Sequence, residues 1–389
     1  MSGSVVPYGR QEVSRQDIDA VVSALTSDFL TQGPAVPAFE KIVAGHCGAA
    51  HAVAVNSATS ALHIACLAAG LGSGDILWTS PNTFVASANC GLYCGAAVDF
   101  VDIDPRTYNL SVERLEEKLV RAEGEGKLPK VVIPVHFAGQ SCDMEAIARL
   151  AERYGFTVIE DASHAIGGRY MDEPIGNCRY SAMTVFSFHP VKIITTGEGG
   201  MVLTNDPGVH ERLIRLRSHG ITRDPVLMAV EPHGPWYYEQ IELGFNYRMT
   251  DIQAALGVSQ MTRLDEFVAR RNQLAERYDD GLRDLPLTRP WREANAWSAF
   301  HLYVVRLELD RIGKSRREVF EELRERGILV NLHYIPVHTQ PYYRAMGFKD
   351  GDFPEAEAYY QGAITLPLYY GLSEDDQDRV ILSMREILG

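Results

Sequence analysis

The chain is short of several things, and each shortage removes a class of protein. No apolar run is long enough to span a bilayer, and Met1 to Arg10 hold no apolar stretch of the kind a secretory leader needs. A soluble, cytoplasmic protein with no membrane partner is expected. Positive charge is scarce: the formal net charge is −14, and such a surface repels phosphate backbones, so no nucleic-acid partner is expected. The six cysteines (Cys47, Cys66, Cys90, Cys94, Cys142 and Cys178) include no Cys-x-x-Cys pair. All but one sit in apolar or small-residue surroundings, and they read as reduced thiols, not as a disulfide frame. The twelve histidines are scattered. His333 and His338 sit in a proline-containing segment at a spacing that does not make a helical ligand pair, so no metal site is expected. There is no internal repeat and no low-complexity segment.

What is present is ordinary globular material: 389 residues, 46% hydrophobic and 23% charged, enough for two or three domains or one large fold with a satellite. Short apolar runs alternate with helical patterns through the first two-thirds. Strands are expected at 51–55, 76–79, 97–101, 131–135 and 157–160, with helices at 60–69, 84–94, 112–121 and 144–154. That rhythm predicts an α/β fold with a mostly parallel sheet and helices on both faces. Two further runs, 184–188 and 201–204, lie too close together for a parallel crossover, so one strand is expected to run antiparallel. From about residue 251 the pattern changes to α+β. A long helix is expected over 251–282, a half-exposed strand over 301–309, and helices over 315–326 and 374–388. We therefore expect a large domain over 1–250, its N-terminal segment partly packing on the small domain, and a smaller C-terminal domain over 251–389. Residues 231–240, with two prolines and three aromatics, read as an excursion.

Four segments carry chemistry. Phe186 to Gly200 sets Lys192 between apolar runs, with Ser187 before it and a glycine-rich turn after it. Desolvation disfavours an ammonium, and a partly neutral amine can attack an aldehyde to form an imine. A lysine that snorkels from a strand edge to water would leave the same pattern. Asp161 follows a strand, where ligands bind in α/β sheets, and a carboxylate there can pair with a protonated ring nitrogen. His164, three residues on, could touch a phenolate oxygen on the same ring. Asp161 could equally be a helix cap. In Asn56-Ser-Ala-Thr-Ser-Ala-Leu62, small residues open a helix, whose free N–H groups and dipole suit an anion. The Ala58 and Thr59 amides and the Thr59 hydroxyl are the phosphate candidates, against an ordinary capped helix start. No Gly-Lys-Ser/Thr follows, and the G-x-G-x-x-G fingerprint is absent, which disfavours a dinucleotide. Phe84, after the fourth segment's strand, could lie on an aromatic cofactor or simply fill a core.

Taken together these segments resemble the sugar-nucleotide aminotransferases of the DegT/DnrJ/StrS type, within the aspartate-aminotransferase fold (fold type I) of pyridoxal-phosphate enzymes. The likeness covers nearly the whole chain. It includes Leu30–Pro34, Asn56–Leu62, Asn82–Phe84, Pro134–Gly139, Glu160–His164, Ser187–Gly200, Gly244–Asp251, His333–His338 and Leu366-Pro367. The resemblance implies that Lys192 carries pyridoxal phosphate, alternating with pyridoxamine phosphate, and moves the proton in catalysis. It implies that Asp161 meets the ring nitrogen, His164 the ring hydroxyl and Phe84 the ring face. Ala58, Thr59 and Ser187 would hold the phosphate. Asn246 would reach the neighbouring subunit's cofactor, in a homodimer with shared active sites.

Within the family the sequence is most similar to the C4 aminotransferases of pseudaminic acid biosynthesis, through Pro7–Gln11 and Ser187–Lys192. That likeness implies a UDP-keto sugar as acceptor and L-glutamate as donor. Such relatives often carry proline after the lysine, where this chain has Ile193. Family members that act as dehydratases carry histidine in place of the lysine, so Lys192 argues against dehydration. A different UDP- or dTDP-keto sugar is the main alternative; a pyridoxal-binding regulator is another, disfavoured by the acidic charge and the lack of an appended DNA-binding region. By the same resemblance Tyr8, Thr31, His333 and Tyr334 would line the sugar side. His219, Arg223 and Arg248 are candidates for the pyrophosphate, or plain surface charges.

Overall fold

Seven apolar runs form one sheet. In chain order they are β1 (His51–Val55), β2 (Ile76–Thr79), β3 (Ala97–Phe100), β4 (Val131–Ile133), β5 (Thr157–Asp161), β6 (Met183–Ser187) and β7 (Gly200–Thr204). In this computed structural model, which describes residues 5–389, the sheet order is β1-β7-β6-β5-β4-β2-β3. Residues 1–4, the start of the segment read for a leader, lie outside the described residues. The five strands β2 to β6 pair in parallel. Strand β7 is antiparallel to both neighbours, β6 and β1, as the short β6–β7 connection requires. Its first residue, Gly200, pairs with Ser187 and with Val55, so the ends of β1 and β6 meet the start of β7 at one edge.

Side-chain alternation sends successive residues to opposite faces, and both faces are covered. Val53, Val55, Val185 and Val202 pack towards helix α3 (Ala58–Ala68). Ala52, Ala54, Phe186, Met201 and Leu203 pack on the other face with Phe39 and Val43 of α2 (Ala35–Cys47). Phe39 and Phe186 are fully buried, and each such side chain contributes roughly 1.5–3 kcal/mol.

The stretch expected as one helix over 251–282 is two, α8 (Asp251–Met261) and α9 (Leu264–Gly281). The break has one local and one distant cause. The Thr262 hydroxyl donates to the Ser259 carbonyl at 2.7 Å, offering it a partner outside the helical ladder. Arg263, at the break, donates to Asp17 of α1 (Arg15–Leu25) at 2.6 Å. That Asp17 carboxylate also accepts from the Ser14 amide, the Ser259 hydroxyl and the Gln260 amide, so it locks α1 onto α8. Asp251, at the start of α8, accepts from the Gly33, Ala35 and Val36 amides and so caps α2 from across the chain.

The C-terminal part builds a three-stranded antiparallel sheet from β8 (Leu287–Thr288), β9 (Tyr303–Leu307) and β10 (Ala363–Leu366), with β9 in the middle. The strand expected to be half-exposed is almost wholly buried. Its alternate faces enter two different clusters, Tyr303, Val305 and Leu307 in one and Val304 in the other. Near the N-terminus, Val6–Pro7 pairs in parallel with Ile328–Leu329. We propose a division of the chain into 1–250 and 251–389. Its support is that the later half of α9, the small sheet and the helix Glu374–Leu388 share one core around Tyr278 and Met384. The excursion near 231–240 is bounded by a short hairpin, Ile221–Thr222 with Glu239–Gln240. No helix among the described residues is long and apolar enough to cross a membrane.

Candidate active site

A cavity of about 460 Å³ opens at the carboxyl edge of the sheet. The fold places a different polar group there from each of several strand ends. Strand β1 leads through Asn56 into α3, whose Ser57 caps the helix by accepting from the Ser60 amide at 3.1 Å. The Ala58 and Thr59 N–H groups, at the first positions of the helix, have no partner within it. Gly200 closes this cradle from β7. A Cβ there would stand 2.5 Å from the Ala58 nitrogen and from the Ser57 carbonyl oxygen, so only glycine lets the strand begin so close. The Ser187 side chain, at the end of β6, lines the same cavity.

Lys192 lies in the tight segment that joins β6 to β7. The segment is cinched by Phe188 N–H to the Gly199 carbonyl, Thr196 N–H to the Phe188 carbonyl, and Lys192 N–H to the His189 carbonyl. Burial pulls the Lys192 amine down from 10.5 to about 8, and the Asp161 carboxylate offsets only part of that. Near pH 8 about half of such an amine is neutral, against roughly 0.3% for an ordinary lysine.

Asp161 ends β5 and is buried. One carboxylate oxygen accepts from the Ser87 hydroxyl at 2.6 Å and the other from the Ser163 amide at 3.1 Å. Ser87 is itself held by Thr83 at 2.8 Å. His164 accepts at Nδ1 from the Ala138 amide at 3.2 Å, which puts its proton on Nε2, facing the Tyr334 hydroxyl at 3.0 Å. Burial, and then the Lys192 charge, keep His164 well below the usual histidine range and therefore neutral. His333 is held down to about 3 by burial and by Lys192.

The structure brings together Ala58, Thr59, Phe84, Asp161, His164, Ser187 and Lys192, with Tyr8, His333 and Tyr334 in the same lining. Phe84 is 59% exposed at the mouth, not a core residue. Five other residues do not line this cavity. Asn246 bridges to Ser218, Arg248 to Val55, and Thr31 to Thr250, while the His219 amide donates to the Phe245 carbonyl. Arg223 is exposed, just past Ile221–Thr222. The first four therefore lie along the segment Phe245–Thr250, and none of the five lines the chain's own cavity. Among the cavity residues not singled out from sequence are Ser57, Ser87 and His301. Ser87 had a signal, since Thr83 and Ser87 stand four apart at a helix start. His301 had only its place ahead of an apolar run, 109 residues from its contact Lys192.

The residues fit pyridoxal phosphate. A phosphate cradle that a Cβ would fill, a partly neutral amine and an anchored carboxylate share one cavity. The profile of the DegT/DnrJ/EryC1/StrS aminotransferase family matches residues 11–385, and the chain belongs to that family. It is a pyridoxal-phosphate-dependent sugar aminotransferase. The spore coat polysaccharide biosynthesis protein SpsC of Bacillus subtilis is 40% identical over 98% of this chain and 97% of its own length. Among solved structures, PseC of Helicobacter pylori, an aminotransferase involved in the biosynthesis of pseudoaminic acid, superposes with a TM-score of 0.90 at 30% identity over 99% of each chain. The Streptococcus pneumoniae protein Spr1654, known in PLP and PMP forms, superposes in the PMP form with a TM-score of 0.88 at 28% identity over 98% of each chain.

Proposed function

We propose that this enzyme transfers the amino group of L-glutamate to C4 of a UDP-linked 4-keto-6-deoxy-N-acetylhexosamine. The keto sugar we favour is UDP-2-acetamido-2,6-dideoxy-β-L-arabino-hex-4-ulose. Its product is UDP-4-amino-4,6-dideoxy-N-acetyl-β-L-altrosamine, on the route to pseudaminic acid. The observation that carries the reaction type is that Lys192, a buried amine whose burial favours its neutral form, lines one cavity with Asp161. The choice of sugar is supported by Pro7–Gln11 and Ser187–Lys192, and by the likeness to PseC.

Bound pyridoxal phosphate supplies an aldehyde that accepts the amino group and a ring that spreads negative charge. The chain supplies the rest. Ala58 and Thr59 N–H groups and the Ser187 hydroxyl hold the phosphate. Asp161, fixed by Ser87 and Ser163, meets the ring nitrogen and keeps it protonated. His164 offers its Nε2 proton to the ring hydroxyl, and Phe84 covers the ring face. Lys192 Nζ takes the proton from the donor's α-carbon and, in the second half, returns one to the sugar's C4. Such help is worth roughly 10²–10⁴-fold. Tyr8, His333 and Tyr334 form the sugar side. Asn246, exposed and outside its own cavity, reaches the cofactor of a second copy, with Thr31, His219, Arg223 and Arg248 on the same rim.

A second reading keeps the chemistry and changes the sugar. The greater identity to SpsC favours a 4-keto sugar destined for another surface polysaccharide. The test is a panel of UDP- and dTDP-4-keto-6-deoxy sugars incubated with enzyme and glutamate, the amino products followed by mass and NMR. Amination chiefly of the UDP-β-L-arabino sugar supports the first reading; amination chiefly of another keto sugar overturns it.

A further inference from the structure

One buried group on the Lys192 wall belongs to none of the roles above. His301 is 4% exposed, and its Nε2 lies 3.4 Å from Lys192 Nζ. Its ring packs against His164 at 4.4 Å between centroids. Its Nδ1 is buried and, among the described residues, has no hydrogen-bond partner. Leaving a ring nitrogen unpaired is costly, so the imidazole is held where it is by something else.

The backbone around it shows what holds it. Phe300 adopts φ +45°, a conformation that non-glycine residues rarely take. Gly139, at φ +108°, leaves room for this turn, since a Cβ there would stand 2.8 Å from the Phe300 nitrogen and 3.1 Å from that of His301. Ala299 N–H donates to the Gly139 carbonyl and Leu302 N–H to that of Ala138. Behind the turn sits Arg271, 2% exposed, whose Nη1 donates to the carbonyls of Phe300, His301 and Leu368 at 3.0–3.2 Å. Those partners are carbonyl oxygens, not carboxylates. The guanidinium therefore ties the turn down while, among the described residues, no carboxylate pairs with its positive charge.

We propose that His301 is a positioning residue for the amine of Lys192, accepting its hydrogen bond at Nε2, and that Arg271 serves His301 by fixing its backbone. The arrangement makes chemical sense only if the imidazole stays uncharged, because an imidazolium would repel the lysine. Burial, and then the positive charges of Lys192 and Arg271, hold His301 well below the usual histidine range. It can therefore accept from Lys192 without competing for the proton. Asp161 is the one negative charge acting on the amine among these groups. With His301 in place, the ammonium keeps an acceptor and the free amine keeps its aim.

This inference rests on Lys192 being the reacting amine. It is testable without turnover, so that its failure is distinct from a failure of that assignment. In the cofactor-free enzyme, the pH dependence of Lys192 acylation by a small anhydride, read by peptide mass, gives the amine's titration midpoint. The wild type should titrate at about 8. His301→Leu removes the acceptor and should move the midpoint down by about one unit, because a hydrogen bond to the charged form favours it. His301→Gln, whose amide oxygen can accept, should restore most of the shift. In the loaded enzyme His301→Leu should lower kcat roughly hundredfold with a much smaller change in KM for glutamate, the mark of a misplaced reacting group. Should the leucine variant fail to fold, His301→Met makes the same test. An unmoved midpoint in the apolar variant, or an equal shift in His301→Gln, overturns the proposal.

Discussion

Two buried polar regions of this protein are built on opposite plans. In the seam between α1 and α8, Asp17 is saturated. It accepts from the Ser14 amide, the Ser259 hydroxyl, the Gln260 amide and the Arg263 guanidinium, all at 2.6–2.8 Å. At the sheet edge the groups are left short. Among the described residues, Lys192 has a single long side-chain contact at 3.4 Å and His301 Nδ1 is orphaned, while the Ala58 and Thr59 N–H groups wait at a helix start. A fully paired buried carboxylate stabilises the fold and has nothing left to offer a ligand. An under-paired cluster costs stability and keeps its hydrogen-bonding capacity for what binds. The contrast separates a structural network from a catalytic one without reference to which residues are charged.

Substitutions should break the two regions in different ways. The largest effect is expected for Lys192→Ala, which should lower kcat by roughly 10⁴-fold or more while leaving the thermal midpoint nearly unchanged; single-turnover and steady-state assays with glutamate check it. Next, Asp161→Asn should lower kcat by roughly 10²–10³-fold and shift the visible spectrum of the loaded enzyme, because an amide does not hold a proton on the ring nitrogen. In the saturated seam the outcome reverses. Asp17→Ala should cost about 3 kcal/mol, or a hundredfold in the folding constant, seen by denaturant titration, with kcat intact below the melting range. For Asp17, burial is outweighed by hydrogen bonds from Ser259, Ser14 and Gln260, which hold the carboxyl below its ordinary value. Its contribution is therefore present above that ordinary value and lost as pH falls through the lowered one.

The smallest effect is a pH dependence at the edge. The Lys192 amine reacts when neutral, so the rate at which cofactor-free enzyme takes up pyridoxal phosphate should rise about tenfold per unit up to about pH 8 and level off above it. Stopped-flow absorbance would read the profile. A flat profile between pH 6 and 8 would remove the reason for treating Lys192 as an under-paired, reactive amine.

Much of this edge was legible in the sequence, because it is built from strand ends and the turns that follow them. Asp161 and Ser187 stand at the last residues of apolar runs, and Ala58 and Thr59 open a helix whose small residues announce it. The reversed strand was legible too, since the short link from Ser187 to Gly200 leaves no room for a parallel crossover. What period and propensity could not show were contacts set by tertiary approach. Ser87 reaches Asp161 across 74 residues and His301 reaches Lys192 across 109. The helix expected over 251–282 looked continuous because the break at Thr262 comes from a hydroxyl–carbonyl bond and from Asp17, far away in sequence. The strand after His301 read as half-exposed because its second face is covered by Tyr343, Phe353 and neighbouring residues that no local pattern connects to it. Of the five residues from Thr31 to Arg248, Thr31 and Asn246 came from family resemblance and His219, Arg223 and Arg248 from the donors an anionic pyrophosphate needs, and a single chain places all five away from its own cavity.

The central claim is that Lys192, among all the lysines of the chain, is the amine that joins the cofactor. Borohydride reduction of the loaded enzyme, followed by digestion and mass mapping, fixes the phosphopyridoxyl group where it was attached. The label should be found on the peptide carrying Lys192 in nearly stoichiometric amount and be absent from Lys192→Ala. A label on another lysine in the wild type, or an undiminished label in Lys192→Ala, would contradict the account.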